Sequence, residues 1–178
     1  YVYYNPVEAD GGYGTAIFSD CGNSVWTMSI TFGDDVKALP STFISNCGVY
    51  RVDFPEGLTY IPEYAITGCQ ELEIITIPST VSDFGGISGD YVFAGCNMLK
   101  TVRYNAENAR NNLFGYVFLD MPEAFTVEFG LGIESIPKYF MKNCGLTEIG
   151  FPEGVLTIGE NCLENCGALE TVTVPSTV

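Results

Sequence analysis

The chain contains no histidine among its 178 residues. Histidine is the usual general base near neutral pH and the commonest metal ligand in proteins. Its absence excludes the Ser-His-Asp and Cys-His arrangements that serve nucleophilic catalysis. We therefore expect no catalytic residue, no metal site and no cofactor.

Positive charge is also scarce, because seven Lys and Arg stand against 22 Asp and Glu, for a formal net charge of −15. Phosphate backbones and anionic lipid surfaces are bound through cationic side chains, so we expect neither nucleic acid nor a membrane surface as a partner. The sequence also lacks a run of about 18 or more apolar residues, the length a transmembrane helix needs. We expect no membrane insertion.

Cysteine, in contrast, recurs at regular intervals. Six of the seven cysteines are separated by 26, 22, 27, 48 and 22 residues: Cys21, Cys47, Cys69, Cys96, Cys144 and Cys166. The interval of 48 equals two periods, with Met121 midway, so seven positions share one register. A bulky apolar residue lies three positions before each of them: Phe18, Ile44, Ile66, Phe93, Phe118, Met141 and Leu163. Self-similarity at such a period indicates a repeat protein.

A short strand is predicted after each of these positions. Ile75 and Ile77, like Val172 and Val174, alternate with other residues, which is typical of a strand with one buried face. Pro78 and its equivalents end the strand. A unit of 22 to 27 residues with one short strand cannot bury its apolar side chains alone, so neighbouring units must stack. The sequence predicts a solenoid of about seven coils, with short parallel strands on one face and mostly turns or irregular structure elsewhere.

The segments YVFAGCNMLKTV, TIPSTV and EGVLTIG resemble the BspA-like leucine-rich repeats of bacterial surface proteins, whose units read approximately AFxxCxxLxxIxIPxxVxxIG. The resemblance covers residues 16–178 and implies an α/β-type leucine-rich repeat solenoid. Two units depart from the pattern. The first carries an insertion before Ile30, and the fourth loses its proline at YNAENARNN.

The two ends of the chain differ from the repeats. Residues 1–15 do not carry the pattern, and we interpret them as an N-terminal edge or capping segment before the repeat region 16–178. The last repeat stops in the middle of a unit at Val178, without a polar cap. We therefore expect that the C-terminal end can self-associate.

The segment CLENC, with Cys162 and Cys166, has the spacing of a metal or redox motif. Cys166 occupies the repeated position, and Cys162 occupies a position that is apolar in every other unit. A zinc site would need four converging ligands, and a reactive thiol would need a neighbouring cation. We interpret both as buried free thiols that act as small apolar groups, and the six regularly spaced cysteines as a structural cysteine ladder.

Tyrosine precedes the apolar pair in four consecutive units. These residues form the tyrosine stripe, which is predicted to face outward: Tyr64, Tyr91, Tyr116 and Tyr139. Tyrosine offers a large amphipathic surface at a small entropic cost and is enriched in binding sites. The stripe is a candidate ligand-binding surface, and the alternative is a self-packing row that stabilises the coils.

Lys100, Arg103 and Arg110 form a basic cluster near two irregular, glycine- and asparagine-rich loops. Arg103 and Arg110 are candidates for binding an acidic or sugar ligand, and the alternative is tolerated loop variation. The outward positions of the strands, such as Arg51 and Asp53, carry mixed side chains. They suit a protein surface better than a deep pocket, although a solvated sheet face fits them equally well.

The resemblance implies a non-catalytic extracellular or cell-surface domain that binds a protein or a surface polymer and mediates adhesion to the cell surface or to host matrix. The tyrosine stripe favours an alternative, a carbohydrate-recognition or scaffold-associated module of a plant-cell-wall-degrading system.

Overall fold

The computed structural model describes residues 17–21, 28–85, 91–110, 117, 118, 121 and 125–178, together with the backbone of residues 2–4. These ranges contain fifteen strands and no helix: β1 (Val2–Tyr4), β2 (Phe18–Ser19), β3 (Met28–Phe32), β4 (Ile44–Ser45), β5 (Val49–Asp53), β6 (Tyr60–Ile61), β7 (Ile66–Thr67), β8 (Ile74–Ile77), β9 (Asp83–Phe84), β10 (Thr101–Tyr104), β11 (Thr126–Phe129), β12 (Ser135–Ile136), β13 (Glu148–Gly150), β14 (Thr157–Ile158) and β15 (Thr171–Thr173). The described part therefore offers no helix that could cross a membrane.

The longer strands form one parallel sheet with the order β1-β3-β5-β8-β10-β11, and β13 pairs with β15 in the same parallel sense. Each neighbour in the sheet comes from the next coil of the chain. The register aligns Arg51 with Ile74, Ile74 with Thr101, and Thr101 with Thr126. This is the outward column predicted from the sequence, and the repeat solenoid with parallel strands is confirmed.

The remaining sides of the coils are more regular than predicted, because two-residue strands also pair in parallel there. One row is β2-β4-β7, and others are β6-β9 and β12-β14. The helical component implied by the α/β label is absent from the described residues. Tyr64 and Gly68 have left-handed backbones, with φ of 54° and 63°, on either side of β7. Three residues remain between them, fewer than one helical turn needs.

The interior of the solenoid is apolar, and no polar or charged residue is buried within the described ranges. Val52, Ile75 and Val102 come from neighbouring strands and are fully buried. Each buried side chain of this size contributes roughly 1.5–3 kcal/mol to the hydrophobic free energy of folding. Because strand side chains alternate between two faces, this apolar column fixes which residues face solvent.

Candidate binding surfaces

The described part of the tyrosine stripe consists of a stacked pair and a separate ring. Tyr64 and Tyr91 are each 38% exposed, and their rings stack with centroids 6.2 Å apart and planes 25° apart. Tyr139 is partly buried, and Nζ of Lys142 lies 5.0 Å from its ring centroid. Tyr116 lies outside the described residues. The stacked pair is thus the open part of the stripe, while Tyr139 already has a cation on its ring.

The backbone of the stripe is in the left-handed region. The φ angles of Tyr64, Tyr91 and Tyr139 are 54°, 49° and 56°. This conformation costs a residue with a side chain about 1–2 kcal/mol, and it is uncommon for bulky residues. In the last coil the same position holds Asn161, a residue type that tolerates this conformation better.

The stacking of one ring pair does not offset this cost. An aromatic pair contributes about 0.5–1.5 kcal/mol beyond its area burial, whereas two left-handed tyrosines together cost about 2–4 kcal/mol. Glycine or asparagine would serve the backbone of Tyr64 and Tyr91 at a smaller cost. The stacking energy alone therefore does not account for tyrosine at these two positions, and the burial of the partly covered rings adds to it.

A row of hydroxyl groups lies on the paired strands β4 and β7, and Tyr64 comes two residues before β7. Ser45 and Thr67 are partly exposed, and the Thr67 hydroxyl donates to the Ser45 hydroxyl over 3.4 Å. Thr42 shares the left-handed position of the tyrosines, with φ of 55°. Thr42, Ser45, Tyr64, Thr67 and Tyr91 together form what we call the tyrosine flank. None of its five side chains is charged at neutral pH, although the chain carries a net charge of −15.

The outward side of the main sheet has the opposite character. This sheet face carries ion pairs between Arg51 Nε and Asp53 Oδ2 at 2.5 Å, and between Arg103 Nε and Glu128 Oε2 at 2.9 Å. The second pair joins two neighbouring coils. Exposed ion pairs of this kind contribute at most about 1 kcal/mol to stability. The face therefore carries charges of both signs, and its ion pairs are easily exchanged for contacts with a partner.

The predicted basic cluster is paired with carboxylates of neighbouring coils. Lys100 Nζ lies 2.5 Å from Glu73 Oε1, and Arg110 Nη1 lies 3.6 Å from Asp83 Oδ2. Arg103 is paired with Glu128. The structure does not bring Arg103 and Arg110 together on a common ligand. An anionic ligand would have to displace a carboxylate at each of them.

The cysteine ladder lies along the interior, with all seven cysteines as free thiols. Cys47, Cys69, Cys96 and Cys144 are buried, whereas Cys21 and Cys166, at the two ends of the row, are partly exposed. The thiol of Cys144 donates to the Phe118 carbonyl over 2.9 Å. Buried thiols of this kind are held in the neutral form, which neither attacks electrophiles nor binds metal.

Cys162 lies in the apolar interior as well, with 4% of its surface exposed. Burial raises the pKa of its thiol to about 12 and also raises the pKa of Cys166. Within the described ranges, no three Cys, Asp or Glu side chains converge in a way that could hold a metal ion. The geometry of the CLENC segment fits packing rather than metal or redox chemistry.

A shallow concave region of about 460 Å³ lies at one end of the strands β3 and β5, and Asp34, Asp53 and Glu56 line it. Partial burial raises the pKa of Asp53, but the hydrogen bond from Arg51 and the positive charges of Arg51 and Arg103 outweigh that effect and lower it. A carboxyl group with a lowered pKa is a poor general acid. Asp53 is therefore a poor candidate for the general acid that glycoside hydrolysis needs.

Two features of these surfaces were missed by the sequence reasoning. One is the left-handed backbone of the tyrosine stripe, and the other is the hydroxyl row of Ser45 and Thr67. The first had a signal in the sequence. Asn161 stands in the same register as the tyrosines, and asparagine is enriched where φ is positive.

The chain is similar to a leucine-rich repeat protein from Bacteroides ovatus ATCC 8483 whose crystal structure is known. The sequences are 16% identical, the TM-score is 0.34, and the similarity covers 96% of this chain and 63% of that one. The similarity thus spans less than two thirds of the length of that protein. No curated protein sequence matches the chain. The model of the BspA-type leucine-rich repeat region matches residues 14–119 and 111–178 with six copies, so the chain belongs to the BspA-type leucine-rich repeat family.

Proposed function

We propose that this solenoid is a non-catalytic extracellular module that adheres to a protein of a cell surface or host matrix through its sheet face. Membership of the leucine-rich repeat family supports a role in protein interaction. The observation that carries the proposal is the exposed sheet face itself, on which Arg51, Asp53, Arg103 and Glu128 lie exposed or half-exposed in register across several coils.

The chemistry of the sheet face suits a protein partner. Small-molecule sites are concave and mostly apolar, whereas protein interfaces gain specificity and association rate from complementary charges. The net charge of −15 attracts a basic partner at long range. The partner that fits best is a protein with a flat, predominantly basic surface.

A non-catalytic role is supported by the missing histidine and by the burial of the cysteines at the centre of the ladder. An extracellular or surface location is supported by the family, which is typical of bacterial surface proteins. Accessibility of the native protein to an antibody on intact source cells would test the location. Labelling that appears only after the cells are lysed would argue against it.

Surface plasmon resonance on immobilised extracellular-matrix proteins, with collagen and laminin as probes and serum albumin as the control, tests the proposed function. The triple variant Asp53→Ala, Glu128→Ala and Glu148→Ala removes three exposed carboxylates from the strands β5, β11 and β13, and it should weaken the binding of a basic partner about tenfold or more. Binding should also weaken with salt. No binding to either matrix protein, or equal binding by the triple variant, would contradict the proposal.

A second candidate function is favoured by the tyrosine flank: recognition of carbohydrate, as in a module of a plant-cell-wall-degrading system. Tyr64 and Tyr91 offer ring surface and hydroxyl groups beside the hydroxyl row of the neighbouring strands. Wild-type binding to a plant-wall polysaccharide, without binding to the matrix proteins, would favour this candidate over the first.

A further inference from the structure

We infer that the tyrosine flank is a binding site for an uncharged polysaccharide chain, distinct from the sheet face. The inference deepens the second candidate function and rests on it. Five features support the inference. They are the left-handed backbone of the tyrosines, the phenol groups without a hydrogen-bond partner, the hydroxyl row, the uncharged side chains of the five flank residues, and the charged side chains that begin at Tyr139.

Tyrosine occupies the left-handed positions 64 and 91 although another coil shows that asparagine suffices there. The backbone of Asn161 has φ of 56°, close to the 54° of Tyr64. A strained conformation is retained where the side chain serves another purpose, and such outliers cluster at ligand-binding positions. Among the described residues, the phenol groups of Tyr64 and Tyr91 have no hydrogen-bond partner, whereas the hydroxyl of Tyr60 donates to the Gly85 carbonyl. The two phenol groups are therefore free to bind a ligand.

The neighbouring groups select the class of ligand. Thr42 occupies the repeat position of the two tyrosines, Ser45 and Thr67 lie on the paired strands β4 and β7, and each hydroxyl both donates and accepts hydrogen bonds. A polysaccharide presents the complementary surface, with many hydroxyls and apolar C–H faces that pack on aromatic rings. An ionic ligand would find no charged partner among the five flank residues. A neutral polysaccharide loses less hydration free energy than a charged one when it leaves water for this surface.

The C-terminal part of the stripe does not continue this surface. Lys142 lies over the ring of Tyr139 and also 3.0 Å from Glu164 Oε2. Lys138 pairs with Glu160 at 3.0 Å. These charges end the neutral surface, so the site is confined to the coils that carry Thr42, Tyr64 and Tyr91 in the described part of the chain.

Native affinity electrophoresis tests the inference, because a protein with a net charge of −15 migrates readily and is retarded by a polysaccharide that it binds. The gels contain hydroxyethylcellulose, xylan or soluble starch as neutral probes, and polygalacturonate as the anionic control. We expect retardation by at least one neutral probe and none by polygalacturonate. Tyr64→Asn with Tyr91→Asn should raise the dissociation constant about tenfold or more.

Asparagine is chosen because it keeps the left-handed backbone, as Asn161 does, so the double variant should fold, with a circular-dichroism spectrum like that of the wild type. Tyr50→Asn is the matched control, since Tyr50 is also 38% exposed but lies in β5, away from the flank. It should bind as the wild type does. The sheet-face triple variant should also keep its polysaccharide binding, and that result holds whether or not the sheet face binds protein.

Three results would overturn the inference. The wild type could migrate unretarded through all three neutral gels, the double variant could be retarded as strongly as the wild type, or polygalacturonate could retard the protein as strongly as the neutral probes. Loss of matrix-protein binding in the tyrosine double variant, without any polysaccharide binding, would instead make the flank a protein-docking surface.

Discussion

The hydroxyl of Thr80 closes the turn of the preceding coil at Gly57. It accepts a hydrogen bond from the Gly57 N–H over 3.0 Å and donates one to the Leu58 carbonyl over 2.8 Å. Thr177 makes the same pair of bonds to the Gly154 N–H and the Val155 carbonyl, at 3.2 and 2.7 Å. The turn Pro-Ser-Thr of one coil therefore packs on the turn Pro-Glu-Gly of the preceding coil, and this pairing occurs twice in the described part of the solenoid.

We expect Thr80→Val to lower the free energy of unfolding by about 1–2 kcal/mol, because two backbone groups lose their partner while the side-chain volume is kept. Thr80→Ser keeps the hydroxyl and serves as the control, with a smaller loss. Urea unfolding followed by circular dichroism measures both. Equal losses in the two variants would show that water replaces the hydroxyl.

A second prediction concerns Tyr104, which is fully buried and whose hydroxyl has no hydrogen-bond partner among the described residues. Burial also raises the pKa of this phenol. Equivalent positions in other coils carry Phe54 and Phe129. Tyr104→Phe should therefore raise the free energy of unfolding by about 1 kcal/mol, since a buried polar group without a partner is destabilising.

Tyr104→Leu is the control for packing, because the Tyr104 ring contacts Phe140 with centroids 4.6 Å apart. That variant should be less stable than the wild type by about 1–3 kcal/mol. Thermal unfolding of the wild type and the two Tyr104 variants compares their stabilities. If Tyr104→Phe unfolded at a lower temperature than the wild type, the hydroxyl would have a stabilising partner, such as a buried water.

The inward and outward columns could be predicted from the sequence because alternation in a strand is local. Val52 and Ile75 fall in one slot of the repeat, and both are buried as that slot predicts. Val172 falls in the same slot but is 43% exposed. Burial in a solenoid depends on the adjacent coils, and among the described residues β15 pairs with β13 alone. The position of a residue in the repeat therefore predicts whether its side chain points inward or outward, while its exposed fraction depends on the neighbouring coil.

The left-handed backbone positions could not be predicted in the same way, because they do not follow from the spacing of apolar residues. The position before each ladder cysteine is left-handed, at Asn46, Gly68, Asn143 and Asn165 among others. Its recurring asparagine and glycine were a usable signal, because these residues tolerate positive φ. The bond of 3.0 Å between the side chains of Asn165 and Asn143 depends on the relative position of two coils. The sequence alone does not indicate this hydrogen bond.

Gly68 provides a third prediction. Its φ is +63°, and a Cβ added there would overlap the side-chain oxygen of Asn46 in the preceding coil. Gly68→Ala should lower the free energy of unfolding by about 1–2 kcal/mol or more through strain and overlap together. Gly57→Ala measures strain alone, since φ is +94° there and nothing lies within 4 Å. Adding Asn46→Gly to Gly68→Ala removes the overlapping side chain and suits the left-handed backbone at position 46, so it should restore part of the loss, and no restoration would contradict the overlap.

The buried thiols make stability depend on pH in the alkaline range. Burial raises the pKa of Cys47 from 9.0 to about 11 and that of Cys162 to about 12. In the unfolded chain these thiols ionise near pH 9, whereas in the folded protein they stay protonated. Above about pH 9 the unfolded state therefore binds fewer protons, and the free energy of unfolding falls as the pH rises.

Urea unfolding under a reducing agent at pH 8 and pH 10.5 should show this loss in the wild type. Part of the wild-type loss belongs to Tyr104, whose pKa is also raised by burial, so the informative quantity is the difference between proteins. Cys47→Ala with Cys162→Ala should be less stable than the wild type at pH 8, because two buried sulfurs are removed. Its stability should then fall less between the two pH values, since two of the groups that release protons on unfolding are gone. An equal fall in both proteins would mean that these thiols ionise at the same pH in the folded and unfolded states, which a dry interior does not allow.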